Sequence, residues 1–230
     1  PHPGRSPLNE IQSPAGEMAG AASHTAFPWP PPPDRPLLDA LAETWRASLF
    51  EPRDFFARMP VRGPLGAALL YFLVVGVAAQ GVRLFWSIIR DVLLAGTAAG
   101  PGVIAGKGAD PAELLLGFLL SPLTLLALLL TATVVVHATL LVLGAASASI
   151  GATLRVLAYT HGAALFEAVP LAGSILAFAW MIVAAARGLA TVHATGTARA
   201  VLALLLPLAG AAALYLISMM VTLLESIPGG

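Results

Sequence analysis

The chain has 230 residues, 58% of them hydrophobic and 10% charged, and its acidic and basic side chains cancel. From Leu114 to Leu224 only Arg155, Glu167, Arg187 and Arg199 are charged, whereas a soluble domain carries roughly a quarter of its residues as Asp, Glu, Lys or Arg. That excludes a water-soluble globule, zero net charge excludes a global field for nucleic acid, and the lack of cysteine excludes disulfides and thiolate sites.

Residues 1–36 contain ten prolines, with a run from Pro30 to Pro33. Such a segment favours extended polyproline geometry and reads as a disordered tail. It serves either as a spacer or, through Phe27-Pro28-Trp29-Pro30, as a ligand for a proline-binding module. No basic segment followed by an apolar one precedes the first span, so no cleavable signal peptide is expected.

Residues 37–62 change character. Leu37, Leu38, Leu41, Trp45 and Leu49 fall on one helical face, with Asp39, Glu43 and Arg46 elsewhere. The helical stretch carrying this face is too short to cross a bilayer and predicts an amphipathic helix lying in the membrane interface. Trp45, Phe55 and Phe56 are its expected interfacial anchors.

Residues 63–230 read as the membrane domain. Span one covers about 64–86 and is apolar apart from Gln80 and Arg83. A loop over 90–113 follows, broken at Gly100-Pro101-Gly102. The apolar stretch from Leu114 to Ala146 is too long for one span of about 20 residues. Ser121-Pro122 divides it into a short lead-in and span two, about 122–144. Spans three, four and five follow at about 152–169, 175–192 and 198–224, with a tight turn at Leu171-Ala172-Gly173-Ser174 after Pro170 and a connection at His193-Ala194-Thr195-Gly196-Thr197. The fold class is therefore an all-α membrane protein, a five-transmembrane-helix bundle with an N-terminal amphipathic interfacial helix. Basic residues near span ends collect on one side. They put the N-terminus in the cytoplasm and the C-terminus outside a bacterial inner membrane, in keeping with the Arg-rich, Lys-poor composition of a GC-rich genome.

From His137 onward the residues form a pattern. Val136-His137-Ala138-Thr139 and Gly144 are followed by Gly151-Ala152-Thr153-Leu154-Arg155 and Ala158-Tyr159. Pro170-Leu171-Ala172-Gly173, Trp180, Arg187-Gly188-Leu189 and His193 come next, with Trp45, Pro52, Phe55-Phe56 and Pro60 upstream. This resembles the bacterial branch of the Yip1 family over roughly 45–224. Two positions depart from it: Ala145 stands where a second glycine is usual, and Glu167 stands where an apolar residue is expected. The resemblance implies the fold. Eukaryotic members bind prenylated GTPases in vesicle traffic, a role without a bacterial counterpart.

His137, Tyr159 and His161 form the expected intramembrane polar cluster, because spans two and three place both histidines roughly 10–14 Å deep. They read either as a proton or metal pathway or as neutral groups hydrogen-bonded across helices. Arg83 and Glu167 occupy similar depths and read as an ion pair or as side chains snorkelling to the interface. Arg155, Arg187 and Arg199 sit at inner span ends, as topology marks or lipid-headgroup ligands. No nucleophile–base arrangement, phosphate loop or metal-ligand spacing is visible, so neither catalysis nor a cofactor is expected. Two classes stay open. One is a scaffold or adaptor, with the bilayer, a protein partner at the N-terminal region and self-association as its contacts. The other is a small transporter, channel or lipid-moving protein using His137 and His161.

Overall fold

The computed structural model describes residues 27–96 and 110–226, and every regular element among them is helical. Seven α-helices follow in order: α1 (Leu37–Phe50), α2 (Pro52–Arg58), α3 (Gly66–Gly96), α4 (Pro111–Val142), α5 (Ile150–Thr160), α6 (Gly173–Val192) and α7 (Thr197–Ser226). A 3-10 segment, His161–Ala168, continues α5. Four helices are long and apolar enough to cross a membrane, over Gly66–Arg90, Ala112–Val142, Gly173–Val192 and Thr197–Leu223. Their outward faces are leucine, isoleucine, valine and phenylalanine, the surface that hydrocarbon requires. The chain is a multi-pass membrane protein.

Named contacts give the helix directions. Arg155 near the start of α5 bonds the backbone at Val61 and Gly63, and Glu167 beyond its end meets Arg83. So α5 with its 3-10 extension runs parallel to α3. A side-chain carbon at Gly76 would touch Leu125 and one at Gly81 would approach Phe118, so α4 runs opposite to α3. Gly188 faces Val156 and Gly173 faces Glu167, so α6 runs opposite to α5. Leu204 and Pro207 of α7 face Leu157 and Thr160 across a small apolar cavity of about 230 Å³ shared with Val136 and Ala185.

Three observed elements differ from the sequence reading. The Ser121-Pro122 break does not end a helix; α4 is continuous through Pro122. A proline removes one backbone hydrogen bond, and with no water to compete in hydrocarbon the rest of the ladder holds. The predicted third span is not one α-helix, since after Thr160 it tightens to 3-10 geometry through His161–Ala168. Gly162, Ala163 and Ala164 are buried there, so the irregular backbone is enclosed by protein.

The third difference is at the N-terminus. The tail read as extending to residue 36 is part of the fold from Phe27 on; residues 1–26 lie outside the described residues. Trp29 is buried, and its Nε1–H donates to Ala67 O at 2.7 Å. The segment α1–α2 likewise does not lie apart from the bundle. Trp45 Nε1–H donates to Gly162 O at 2.9 Å, and Trp180 Nε1–H donates to Leu49 O at 3.1 Å. Phe55 and Phe56 are 0% and 1% exposed. Phe55 packs on Tyr159 at 5.3 Å between ring centroids, and the Phe56 ring lies against Gly188. Of the residues expected to anchor a lipid interface, Phe55 and Phe56 are core residues and Trp45 is half-buried against the bundle, because an aromatic side chain satisfies a packed protein pocket as well as a headgroup layer.

Candidate functional site

Two clusters of polar groups stand out, one at each end of the bundle. The first joins the ends of α4, α5 and α6. Helix α4 terminates at Gly144, whose φ is +61°. Gly144 N–H bonds Leu141 O and Ala145 N–H bonds Leu140 O, the double bond that closes a helix C-terminus over a left-handed residue. Helix α6 ends the same way, with Ala194 at φ +48° and Thr195 N–H on Ala190 O. Here an alanine holds the left-handed position that normally belongs to glycine.

These turns bring His193 to the loop after α4. Ser147 Oγ donates to His193 O, and Ala148 N–H donates to His193 Nδ1 at 3.1 Å. That amide fixes the rest. With Nδ1 accepting, the neutral His193 carries its proton on Nε2 and donates to Thr153 Oγ1 at 2.9 Å. The Thr153 hydroxyl then donates to His137 Nδ1, also at 2.9 Å. His193 is 1% exposed. Burial, and next the neighbouring His137, hold its imidazole below the ordinary value. The chain of bonds ends on a backbone amide that cannot pass a proton on. It clamps three helices.

The expected cluster of His137, Tyr159 and His161 does not assemble. His137 belongs to the Thr153–His193 clamp. His161 lies eight residues beyond Thr153, where its ring packs on Phe72 at 4.6 Å and faces Gly76. Its Nε2 is buried without a hydrogen-bond partner among the described residues. Tyr159 is enclosed by Phe27, Phe55 and Tyr71. Thr153 and His193 escaped the sequence reading because their meeting depends on two helix ends being adjacent, which no spacing encodes.

The three arginines differ from one another. Arg187 and Arg199 are exposed. Arg155 is 5% exposed and gives its donors to backbone: Nη1–H to Val61 O at 3.0 Å, Nη2–H to Gly63 O at 2.6 Å. It fastens the chain entering α3, where Gly63 turns at φ +102°. A guanidinium has five N–H donors in a planar fork and suits this use.

The second cluster lies at the other end. The Arg83 Nε–H donates to Glu167 Oε2. The pair stands at the edge of a 680 Å³ cavity between α3 and the turn that opens α6. Trp86, Ser87 and Arg90 line it from α3, and Pro170, Leu171 and Ser174 line it from the turn. Arg83 also borders a second cavity of 290 Å³ with Gln80, Glu113 and Ser121. Among the described residues no three His, Asp or Glu side chains converge as a metal site.

No protein-family model, curated protein or solved structure matches the chain.

Proposed function

We propose that the protein is a membrane scaffold that holds a protein partner, or a second copy of itself, against the outer flank of α1 and α2. One observation carries this reading. Trp45 bonds Gly162, which lies about 19 Å along the chain path from the start of α5. Glu43 and Arg46 flank Trp45 on the other side of α1, with side chains 40% and 68% exposed, and Glu51 follows at 50%. A row of charges at that depth does not face lipid. Arg35–Glu43 and Arg46–Glu51 pairs partly neutralise it, and a polar protein surface is its natural cover.

The reading includes a fifth crossing. The eleven residues of α5 and the eight of the 3-10 segment rise about 33 Å together, against a hydrocarbon core of about 30 Å. Neither piece alone is long enough to cross; the change to 3-10 geometry after Thr160 divides the crossing in two. The resemblance to bacterial Yip1 proteins is part of the same proposal. Its support is that Gly144, Arg155, Gly188 and His193 each occupy a tight turn, a cap or a close helix contact. A bacterial inner membrane with the basic ends of the spans inside follows from it.

Photo-crosslinking residues placed at Arg46 and Ile175 in native membranes test the reading. The expected result is a discrete protein adduct at position 46, its mass separating a partner from a second copy, and only lipid adducts at position 175. Lipid adducts at both positions would overturn it. Water at position 46, with solute flux in proteoliposomes, would favour a transporter.

A further inference from the structure

We propose that the cavity between α3 and the first turns of α4 binds the glycerol–ester region of a bilayer lipid, with an ester carbonyl accepting from the Ser121 hydroxyl and the Gln80 amide. Leu114, Phe118, Ser121 and Leu125 follow one another at helical spacing on α4, and Phe118 and Leu125 face Gly81 and Gly76 of α3. Ser121 is the one small side chain of that stripe. Beside it lies a 290 Å³ cavity, lined by Gln80 and Leu84 from α3 and by Leu114, Gly117 and Phe118 from α4. Ser121 is 3% exposed, and its Oγ has no hydrogen-bond partner among the described residues. Thr124, Thr133 and Thr139 on the same helix each donate to the carbonyl four residues back, the local solution open to any hydroxyl in an apolar helix. Ser121 does not take it and lines the cavity instead. The Gln80 amide, half-buried in the same cavity, bonds no described residue either. A buried polar group without a partner is costly in hydrocarbon, so two of them lining one cavity mark a place for a ligand.

Depth and donor chemistry select the ligand. Roughly 35 Å of helix separates Ser121 from Gly144, where α4 closes at the clamp, against a hydrocarbon core of about 30 Å. Ser121 therefore stands at the border between hydrocarbon and headgroups, the level of the ester groups of a glycerolipid. An ester carbonyl is neutral and only accepts, and a serine hydroxyl and a glutamine amide both donate. Leu84, Leu114 and Phe118 supply apolar walls for the glycerol and the upper acyl segments. Ser87, on the same lining, already donates to Leu84 O at 2.8 Å. The recognised group carries no charge, so the headgroup beyond the cavity does not decide binding. The inference needs only α3, α4 and the membrane around them; it stands apart from the scaffold proposal and from the fifth crossing.

The 230-residue chain in nanodiscs of equimolar dioleoyl phosphatidylcholine and its diether analogue, followed by native mass spectrometry of retained lipid, tests the site. The two lipids share headgroup and chain length and differ in the ester carbonyls. The unmodified protein should retain the ester lipid over the ether by roughly fivefold, the worth of about one hydrogen bond. Ser121→Ala and Gln80→Leu should each remove most of that preference. Thr124→Val, which alters an exposed hydroxyl bonded to its own helix, should leave it unchanged. Equal retention of the two lipids by the unmodified protein would overturn the proposal without recourse to any variant. So would a preference that persists in both Ser121→Ala and Gln80→Leu, since the ester would then be bound elsewhere.

Discussion

Thr153 sets one hydroxyl between two imidazoles, and both lose their partner if it goes. A buried polar atom left unpaired costs about 1–3 kcal/mol. Thr153→Val keeps the shape and should destabilise the bundle by about that amount or somewhat more in denaturant unfolding in detergent, while Thr153→Ser should stay close to the unmodified protein. His193 makes the same clamp sensitive to acid. Its folded-state pKa is depressed, so near pH 6.5 the unfolded chain binds more protons than the folded one. Stability from this group is fully present above about pH 6.5 and declines as the pH falls below it. The melting temperature should therefore fall between pH 7.5 and pH 5, and by less in His193→Gln. An unchanged acid response in that variant would remove His193 as the cause. Ala194 carries the opposite kind of opportunity. A left-handed conformation costs an ordinary residue roughly 1–2 kcal/mol, so Ala194→Gly should raise stability by about 1 kcal/mol, in contrast to glycine placed inside a helix.

At the scale of elements, close contacts around glycine fix how α1 and α2 enter the bundle. A side-chain carbon at Gly188 would lie 2.7 Å from the Phe56 ring, and one at Gly162 would lie 2.7 Å from the Tyr71 hydroxyl and 3.0 Å from Trp45. Gly188→Val should push α2 off α6 and cost about 1–3 kcal/mol by overpacking, visible as faster proteolysis between residues 50 and 62. This packing was only half legible in the sequence. The apolar face of α1 follows from periodicity at Leu41, Trp45 and Leu49, whereas Leu37 and Leu38, expected on the same face, are exposed; the four long apolar helices follow from the length of their apolar runs. Periodicity says that a face is covered and not by what. Lipid interface and protein core make the same demand on Trp45, Phe55 and Phe56. The 3-10 extension left no such mark, since His161-Gly162-Ala163-Ala164 reads equally well as α-helix. At the polar sites the Arg83–Glu167 pair was one of two readings left open, since opposite charges at equal depth can either meet or snorkel to the interface. The His193–Thr153–His137 clamp was not legible, because His193 looks like a loop residue until the ends of α4 and α6 are seen together.

Among the described residues the alternation of helix directions sorts the helix ends to one of two faces. Arg62 before α3, Ser149 before α5 and Thr195 before α7 share the face of the Thr153 clamp. Leu171 and Glu113 belong to the opposite face, where α3 and the 3-10 segment end and α4 and α6 begin. The 230 residues contain no cysteine, so each position can be probed by one introduced cysteine without background. In inside-out and right-side-out vesicles, a membrane-impermeant maleimide should label Ser149→Cys and Thr195→Cys from one side only and Glu113→Cys from the other. Leu171→Cys decides the fifth crossing. If α5 and its 3-10 extension traverse the bilayer, position 171 reacts from the same side as position 113, slowly, because its turn meets lipid. If it reacts from the side of position 149, the α5–α6 hairpin enters and leaves by one face. Then the charged flank of α1 lies nearer to water than the helix lengths place it, and the need for a covering partner disappears with the fifth crossing.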